Sequence, residues 1–209
     1  MEIEKIFEDE HIIVCLKPHG VSSEGGSSDN VPELLGTDVK PLVVHRLDKE
    51  VSGLMVLAKH QKAAASLSSQ IQSGEFKKEY LAVLEGEVEE QGSLCDLLFH
   101  DRQKNKTYVV KKERKGVKKA SLDFHRLSVS AVEDTSISKV RIKLHTGRTH
   151  QIRVQFGSRR HPVFGDRKYG SKFKGEFCLF SCKLSFKHPV TGESLCFEAQ
   201  PCDTVPWIC

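Results

Sequence analysis

The chain has 209 residues, of which 38% are hydrophobic, 29% charged and 7% aromatic, and this composition excludes disordered, collagen-like and disulfide-scaffold proteins. A chain of this length buries enough surface for one self-sufficient core, so a single domain over residues 1–209 is predicted. The net charge is only +4. The longest aliphatic run, 12–16, is too short to span a membrane, and the amino terminus lacks the basic segment of a signal peptide. We therefore expect a cytoplasmic protein without membrane contact.

Most predicted elements are β-strands, because short apolar stretches with alternating polar residues recur along the chain. Residues 3–7 and 12–17 predict an opening hairpin, and further strands are predicted at 42–46, 54–59, 78–85, 106–112, 120–129, 138–144, 177–184 and 194–199. A helix is predicted over 61–73, because the following Gly74 is a typical helix stop. Residues 149–158 predict a second helix with Thr149 as a candidate cap, although the same residues also fit a strand. The sum is an α+β fold with a large mixed, mostly antiparallel sheet and a few packed helices.

The cysteines give no sign of a metal site or of a disulfide framework. Seven are present, an odd number, and they form neither a CxxC pair nor a zinc-type spacing with histidines, at positions 15, 95, 178, 182, 196, 202 and 209. We therefore expect reduced thiols and no bound metal.

The charge is distributed unevenly, and this distribution indicates the class of partner. The segment 102–119 holds nine Lys or Arg residues against one Glu, and the segment 139–174 holds eleven against one Asp. These segments together carry +18, which leaves −14 for the remaining residues. Two basic segments in a chain that is otherwise acidic favour a polyanion, and nucleic acid in particular, as the partner. A solvated basic hairpin is the alternative for the first segment.

Three strings place charged side chains beside glycines within strand-like sequence. They are His-Arg-Leu-Asp followed by Ser-Gly at 45–53, Lys-Lys-Glu-Tyr-Leu at 77–81, and Thr-Gly-Arg-Thr-His-Gln-Ile-Arg at 146–153. A carboxylate that follows a strand and precedes a turn is placed as functional groups often are, and an arginine from a second string is its natural partner.

Together these strings resemble the RluA class of pseudouridine synthases. The motifs of that class occur in family order from about residue 12 to residue 190, as Lys-Pro-x-Gly at 17–20, the Asp motif at 45–53, Lys-x-Tyr at 78–80, the Arg motif at 146–153, Gly-Asp-x-x-Tyr-Gly at 165–170 and Leu-x-Phe-x-His-Pro at 184–189. The chain departs from the class at Val51, commonly Thr, at Gln155, commonly His, and at Arg160, commonly Gly. It resembles the minimal catalytic-domain members, which lack an S4-type RNA-binding domain.

The resemblance implies an enzyme that isomerises a uridine of ribosomal or transfer RNA to pseudouridine after flipping the base out of its stack. It implies that Asp48 is the nucleophile or charge stabiliser, that Arg153 orients it, and that Tyr80 stacks on the uracil and moves a proton. Because reactant and product are isomers, no cofactor is expected, and the sequence lacks a dinucleotide-binding or Walker motif.

The resemblance also implies residues that contact the substrate. Arg46 is expected to enter the gap left by the flipped base or to hold a phosphate. Arg148 and His150 are expected to hold the RNA backbone or the loop to which they belong, and Leu179 to pack against the uracil. On charge alone, the segment 102–119 is expected to meet phosphates through four lysines: Lys111, Lys112, Lys115 and Lys118.

Two other functions are compatible with parts of this pattern. A non-catalytic RNA-binding module would use the same basic segments, but it would not need the Asp, Tyr and Arg of the motifs. A nucleoside hydrolase would release free uracil, but it needs a second carboxylate to activate water, and no matched motif supplies one. A monomer that binds RNA, and neither DNA nor a membrane, is expected.

Overall fold

The computed structural model describes residues 3–25, 29–202, 204 and 206–207. The chain divides into two compact units, one formed by Met1–Glu79 with Phe180–Pro201 and the other by Tyr80–Leu179 with Cys202–Cys209. The helices are α1 (Val31–Leu34), α2 (Gln61–Ser73) and α3 (Gln151–Gly157). The strands are β1 (Lys5–Glu8), β2 (Ile12–Lys17), β3 (Leu42–Val43), β4 (Ser52–Ala58), β5 (Lys77–Glu85), β6 (Gln91–Asp101), β7 (Lys106–Val110), β8 (Val117–Val132), β9 (Thr135–Leu144), β10 (Leu179–Lys187) and β11 (Ser194–Glu198).

The first unit is a sheet in the order β1-β2-β4-β10, with β3 also paired to β4 and β11 to β10. Its pairs are antiparallel except for β4 with β10, which run parallel. Strands β2 and β4 are buried along nearly their whole length, and α2 covers one face of the sheet there. Helix α2 packs Ala63 and Leu67 into an apolar cluster with residues of β2, β4 and β10.

Gly53 explains why a glycine follows the serine of the Asp motif. Its φ is +113°, a backbone conformation that L side chains rarely adopt, and a Cβ atom there would collide with the backbone of Ser181 in the parallel partner strand. The close approach of β4 and β10 therefore requires glycine at this position.

The second unit is a sheet in the order β5-β9-β8-β6-β7, to which β5 contributes its residues from Tyr80 onward. Strands β6, β7, β8 and β9 are joined by antiparallel pairing over long registers. Helix α3 packs on this sheet through Val154, which contacts Leu98 and Ala120, and through Phe156, whose ring meets Phe124 edge-on at 5.3 Å between centroids. The helix therefore holds the second half of the Arg motif against β6 and β8.

The predicted fold class is confirmed: the strands pair mostly antiparallel and few helices pack on them. The helix over 61–73 is confirmed at both ends, with Gly74 in the left-handed conformation after its last residue. The segment 149–158 is a helix and not a strand, but Thr149 is not its cap. His150 occupies that position with φ 53° and makes no side-chain capping bond, so the predicted cap was wrong.

Three elements were not predicted from the sequence. The sequence prediction missed the 11-residue strand β6, the four-residue helix α1 and a 3-10 turn at Arg167–Tyr169. Six cysteines in the described residues form no disulfide bond, and Cys209 lies outside these residues. Among the described residues, no helix is long and apolar enough to cross a membrane.

Candidate active site

Asp48 lies in a tightly held segment of the first unit between β3 and β4. Its neighbour Leu47 is anchored through both backbone groups, because the amide donates to Ser23 Oγ at 2.9 Å and the carbonyl accepts from that hydroxyl at 2.7 Å. The Asp48 carbonyl accepts from the Val51 amide at 3.0 Å, which closes a turn directly behind it. The Asp48 side chain itself is half-buried. The carboxylate is therefore presented on a fixed backbone and is not carried by a loose loop.

His45 anchors the start of the same segment. The imidazole is buried and its Nε2 accepts a hydrogen bond from the Val56 amide of β4 at 3.1 Å. Burial is the main reason that its pKa lies well below the usual value, and the charge of Lys78 lowers it further. His45 is therefore neutral at physiological pH, and its role is to tie the Asp motif to β4.

Lys17 is a site residue to which the sequence reasoning gave no role. Its side chain is 1% exposed, and its ammonium donates to three carbonyl oxygens, of Pro18 at 2.9 Å, Val21 at 2.7 Å and Lys49 at 3.1 Å. Burial lowers its pKa to about 8, while the negative charges of Asp48 and Glu50 act in the opposite direction. Lys17 therefore fixes the turn that follows Asp48 and places a buried positive charge within reach of its carboxylate. The sequence feature that could have indicated this role is the Lys-Pro-x-Gly motif, of which Lys17 is the first residue.

Arg46 lies on the surface beside the buried core of the Asp motif. Its guanidinium forms an ion pair with Glu24 at 2.8 Å, and both side chains are largely exposed. An exposed pair of this kind is weak, so the guanidinium exchanges its partner at little cost. Arg46 is thus accessible for a contact with RNA, the role predicted for it.

Arg153 of α3 is clamped from three sides in the second unit. Its Nε donates to Asp166 Oδ2 at 2.6 Å and its Nη2 to Asp166 Oδ1 at 2.9 Å, and both side chains are almost completely buried. The guanidinium also lies over the rings of Tyr169 and Phe177, at 5.2 and 5.0 Å from their centroids. Asp166, in the Gly-Asp motif, was quoted from the sequence without a role. The structure shows that it compensates the charge of Arg153 and fixes its plane.

His150 belongs to the network that holds Tyr169. The Tyr169 hydroxyl accepts from the Thr107 amide at 2.8 Å and lies 2.8 Å from His150 Nδ1. His150 is only 7% exposed, so its ring lies mainly inside the second unit and not on its surface. Arg148 is exposed and donates from Nε to the Lys119 carbonyl at 3.0 Å. Of these two, Arg148 is the side chain that solvent reaches.

Tyr80 and Leu179 are both buried in the second unit, at 6% and 3% exposure. Tyr80 lies in β5 and Leu179 is the first residue of β10. The four predicted lysines of the basic segment lie in and beside the turn between β7 and β8 and are all exposed: Lys111, Lys112, Lys115 and Lys118. Each unit thus contributes part of the predicted set, with Asp48 and Arg46 in the first and the others in the second.

The chemistry available to these residues is that of a held carboxylate, a buried phenol and a clamped guanidinium. Within the described part of the chain, no group of three or more His, Cys, Asp or Glu side chains is arranged to hold a metal ion. A carboxylate on a fixed backbone suits nucleophilic attack or proton abstraction.

Comparison with known proteins identifies relatives of this chain. A family model described as RNA pseudouridylate synthase matches residues 11–158. An uncharacterized RNA pseudouridine synthase of Aquifex aeolicus is 35% identical, with 95% of this chain and 69% of the relative covered. A ribosomal large subunit pseudouridine synthase D of Zymomonas mobilis is 30% identical over the same shares.

Solved structures show the same fold. The human RNA pseudouridylate synthase domain containing 1 superimposes with a TM-score of 0.81 at 21% identity, covering 96% of this chain and 84% of that one. The human RNA pseudouridylate synthase domain containing 4 gives 0.76 at 21% identity, covering 96% and 89%. At this identity the likeness concerns the fold.

Proposed function

The chain belongs to the RNA pseudouridylate synthase family and is an RNA pseudouridine synthase, and we propose that Asp48 is its catalytic carboxylate, assisted by Tyr80 and Arg153. The observation that carries the proposal is the fixed backbone around Asp48, at the position where the family motif has its aspartate. Lys17 supports it, because its buried ammonium and the negative charge of Asp48 attract each other.

The reaction is an isomerisation, so bonds and atoms balance without a co-reactant. The N1–C1′ bond of the uridine breaks, the uracil turns in place, a C5–C1′ bond forms, and the proton on C5 is lost while N1 gains one. Asp48 takes part either by attacking C1′ or by assisting elimination to a glycal. Both routes need an ionised carboxylate beside the sugar, and the two remain open.

Arg153 and Tyr80 have complementary tasks in this scheme. We assign the Arg153 guanidinium, which Asp166 holds in place with two hydrogen bonds, to orienting the catalytic carboxylate. Tyr80 stacks on the flipped uracil and its hydroxyl moves a proton. Leu179 packs against the base.

RNA binding is assigned to the exposed cations. Arg46 and Arg148 hold the backbone near the target, His150 supports that region, and the lysines between β7 and β8 meet phosphates further away. The relatives named for the large ribosomal subunit make ribosomal RNA the first substrate to examine, and transfer RNA the second. We expect a cytoplasmic monomer that acts on RNA and contacts neither DNA nor a membrane.

The assignment of Asp48 is tested by Asp48→Asn, which keeps the size of the side chain and removes its charge. Pseudouridine formation should stop, while RNA affinity stays within about threefold of the wild type, because binding relies on other residues. Asp38→Asn is the matched control, since Asp38 is exposed and lies outside the motifs. Appreciable turnover by Asp48→Asn contradicts the assignment. Mapping pseudouridines in cellular RNA with and without the gene identifies the target uridine.

A further inference from the structure

Lys78, the second residue of β5, carries a positive charge for which the described residues provide no ion-pair partner. The side chain is only partly exposed, and its ammonium lies over the ring of Phe76, 5.5 Å from the centroid. Among the described residues, it makes neither a hydrogen bond to an acceptor nor an ion pair. A largely desolvated ammonium without an acceptor is costly, and such groups persist mainly where function requires them.

Lys17 is a buried lysine with a structural role, and it serves as a comparison for Lys78. Burial lowers the pKa of Lys17 and of Lys78 alike to about 8. Lys17, however, donates all three of its hydrogen bonds to carbonyl oxygens, whereas Lys78 has only an aromatic ring beneath it. The contrast indicates that the acceptor for Lys78 comes from outside the chain.

His45 is the titratable neighbour of Lys78 and cannot supply that acceptor. The two side chains share Phe76, because the His45 ring packs on it at 5.4 Å between centroids. His45 Nε2 already accepts from the Val56 amide, so in the neutral ring Nδ1 carries the proton and is a donor. This Nδ1 has no partner in the described residues either. Two donors lie near each other, which favours an incoming anion.

We propose that Lys78 binds an anionic oxygen of the substrate nucleotide. The inference rests on the proposed function, because Lys78 precedes Tyr80 by two residues, the spacing at which strand side chains share a face. Two kinds of substrate oxygen carry the negative charge that this proposal requires. One belongs to a phosphodiester next to the target uridine, and the other is a uracil oxygen, which takes up negative charge when the N1–C1′ bond breaks.

The experiment compares Lys78→Met and Lys78→Arg with the matched control Lys77→Met. Lys77 is the adjacent residue of β5, is exposed, and donates to the Gly74 carbonyl. RNA affinity is measured at several salt concentrations, and the rate of pseudouridine formation is measured in single turnovers at saturating RNA. Thermal melting of each variant is recorded in parallel.

Lys78→Met should lower either the RNA affinity or the rate at saturating RNA by about tenfold or more. Which of the two falls shows whether Lys78 binds a phosphate oxygen or a uracil oxygen. Weaker RNA binding, with a plot of log affinity against log salt that is flatter by about 0.7 to 0.9, indicates a phosphate. Unchanged binding with a slower rate at saturating RNA indicates the uracil. Lys78→Arg should restore most of the loss, and Lys77→Met should behave as the wild type.

Melting and pH dependence separate this role from a structural one. The melting temperature of Lys78→Met should equal or exceed that of the wild type, because an unsatisfied buried charge is removed. The wild-type rate should fall as pH rises through about 8, where Lys78 loses its proton, and the fall should be smaller in Lys78→Arg. Lys17 titrates in the same range in both proteins, so the difference between them isolates Lys78.

Wild-type affinity and rate in Lys78→Met overturn the inference, and so does a lower melting temperature that accounts for the loss. An equal loss in Lys77→Met overturns it as well. If Asp48→Asn is inactive while Lys78→Met is normal, only this inference fails. If Asp48→Asn is active, the proposed site itself fails, whatever Lys78 does.

Discussion

Tyr80 is assigned two tasks, stacking and proton transfer, and a single substitution can separate them. Tyr80→Phe keeps the ring that would stack on the uracil and removes only the hydroxyl. If the hydroxyl moves a proton, the variant should bind RNA nearly normally and react about a hundredfold more slowly or worse, as expected for lost acid–base assistance. Single-turnover rates and RNA affinities measure this. A rate close to that of the wild type would leave stacking as the only role of Tyr80.

Asp166 and Asp96 each hold an arginine with two hydrogen bonds, but their burial differs. The side chains of the Asp166 and Arg153 pair are 1% and 3% exposed, while those of Asp96 and Arg159 are 11% and 37% exposed. Asp166→Asn leaves a buried guanidinium without its counter-charge and should lower the free energy of unfolding by about 3 kcal/mol. Asp96→Asn should cost about 1 kcal/mol or less, because solvent screens the exposed pair. Urea unfolding of both variants tests the difference, and equal losses would contradict it.

Motifs predict which residues matter better than they predict what each touches. Asp48, Arg153 and Asp166 all lie in strings that the sequence made visible, yet the partnership of Arg153 with Asp166 depends on how α3 packs. Lys17 and Lys78 both lie in motifs, but the sequence predicted no role for either of them. Their roles depend on which carbonyl oxygens surround each ammonium, and the pattern of residue types along the chain does not contain that information.

The turn that follows helix α3 contains a residue, Arg160, whose backbone conformation favours glycine. Arg160 has φ 68°, and its amide donates to the Gly157 carbonyl, while the next amide, of His161, donates to Phe156. This is the left-handed helix ending in which glycine is usual, and the family commonly has glycine at this position. Arg160→Gly should therefore raise the free energy of unfolding by about 1 kcal/mol.

Arg160→Ala is the control, because it removes the same charge but keeps a Cβ atom in the left-handed conformation. It should be no more stable than the wild type in urea unfolding. If glycine and alanine had the same effect, the charge or length of Arg160, and not its backbone, would be the cause.

Elements with a clear local signal were predicted closely, and those without one were missed. Helix α2 has its stop signal at Gly74, and β2 and β4 are continuous apolar runs buried in the first unit. Strand β6 mixes buried and exposed residues without regular alternation, so its sequence lacks the two-residue period that predicts a half-buried strand. Its strand character comes from pairing with β7 and β8, which lie further along the chain.

Across the whole molecule, charge separates by segment. The segment 102–119 occupies β7, the turn and the start of β8, and its four predicted lysines are exposed. Strands β7 and β8 both pair with β6, which lies between them, so this segment is not a hairpin. Two of its cations lie over aromatic rings, with Arg114 4.6 Å from the centroid of Phe99 in β6 and Lys106 5.9 Å from that of Tyr108 in β7. Among the described residues, Glu113 pairs with Lys119, and none of the four predicted lysines forms an ion pair. These lysines are therefore available to phosphates, which makes the segment 102–119 the place to test for long-range RNA binding.

A variant with four lysines replaced by glutamine tests whether this segment binds RNA or only aids solubility. The replaced residues are Lys111, Lys112, Lys115 and Lys118. RNA affinity at moderate salt should fall, and the plot of log affinity against log salt should become flatter by roughly three if all four meet phosphates. The rate at saturating RNA should stay close to normal, because phosphate contacts position the substrate and do not touch the uracil. Circular dichroism confirms that the variant is folded. A folded variant with an unchanged salt slope would assign the RNA contacts to the segment 139–174, whose surface then has to supply them through residues such as Arg148.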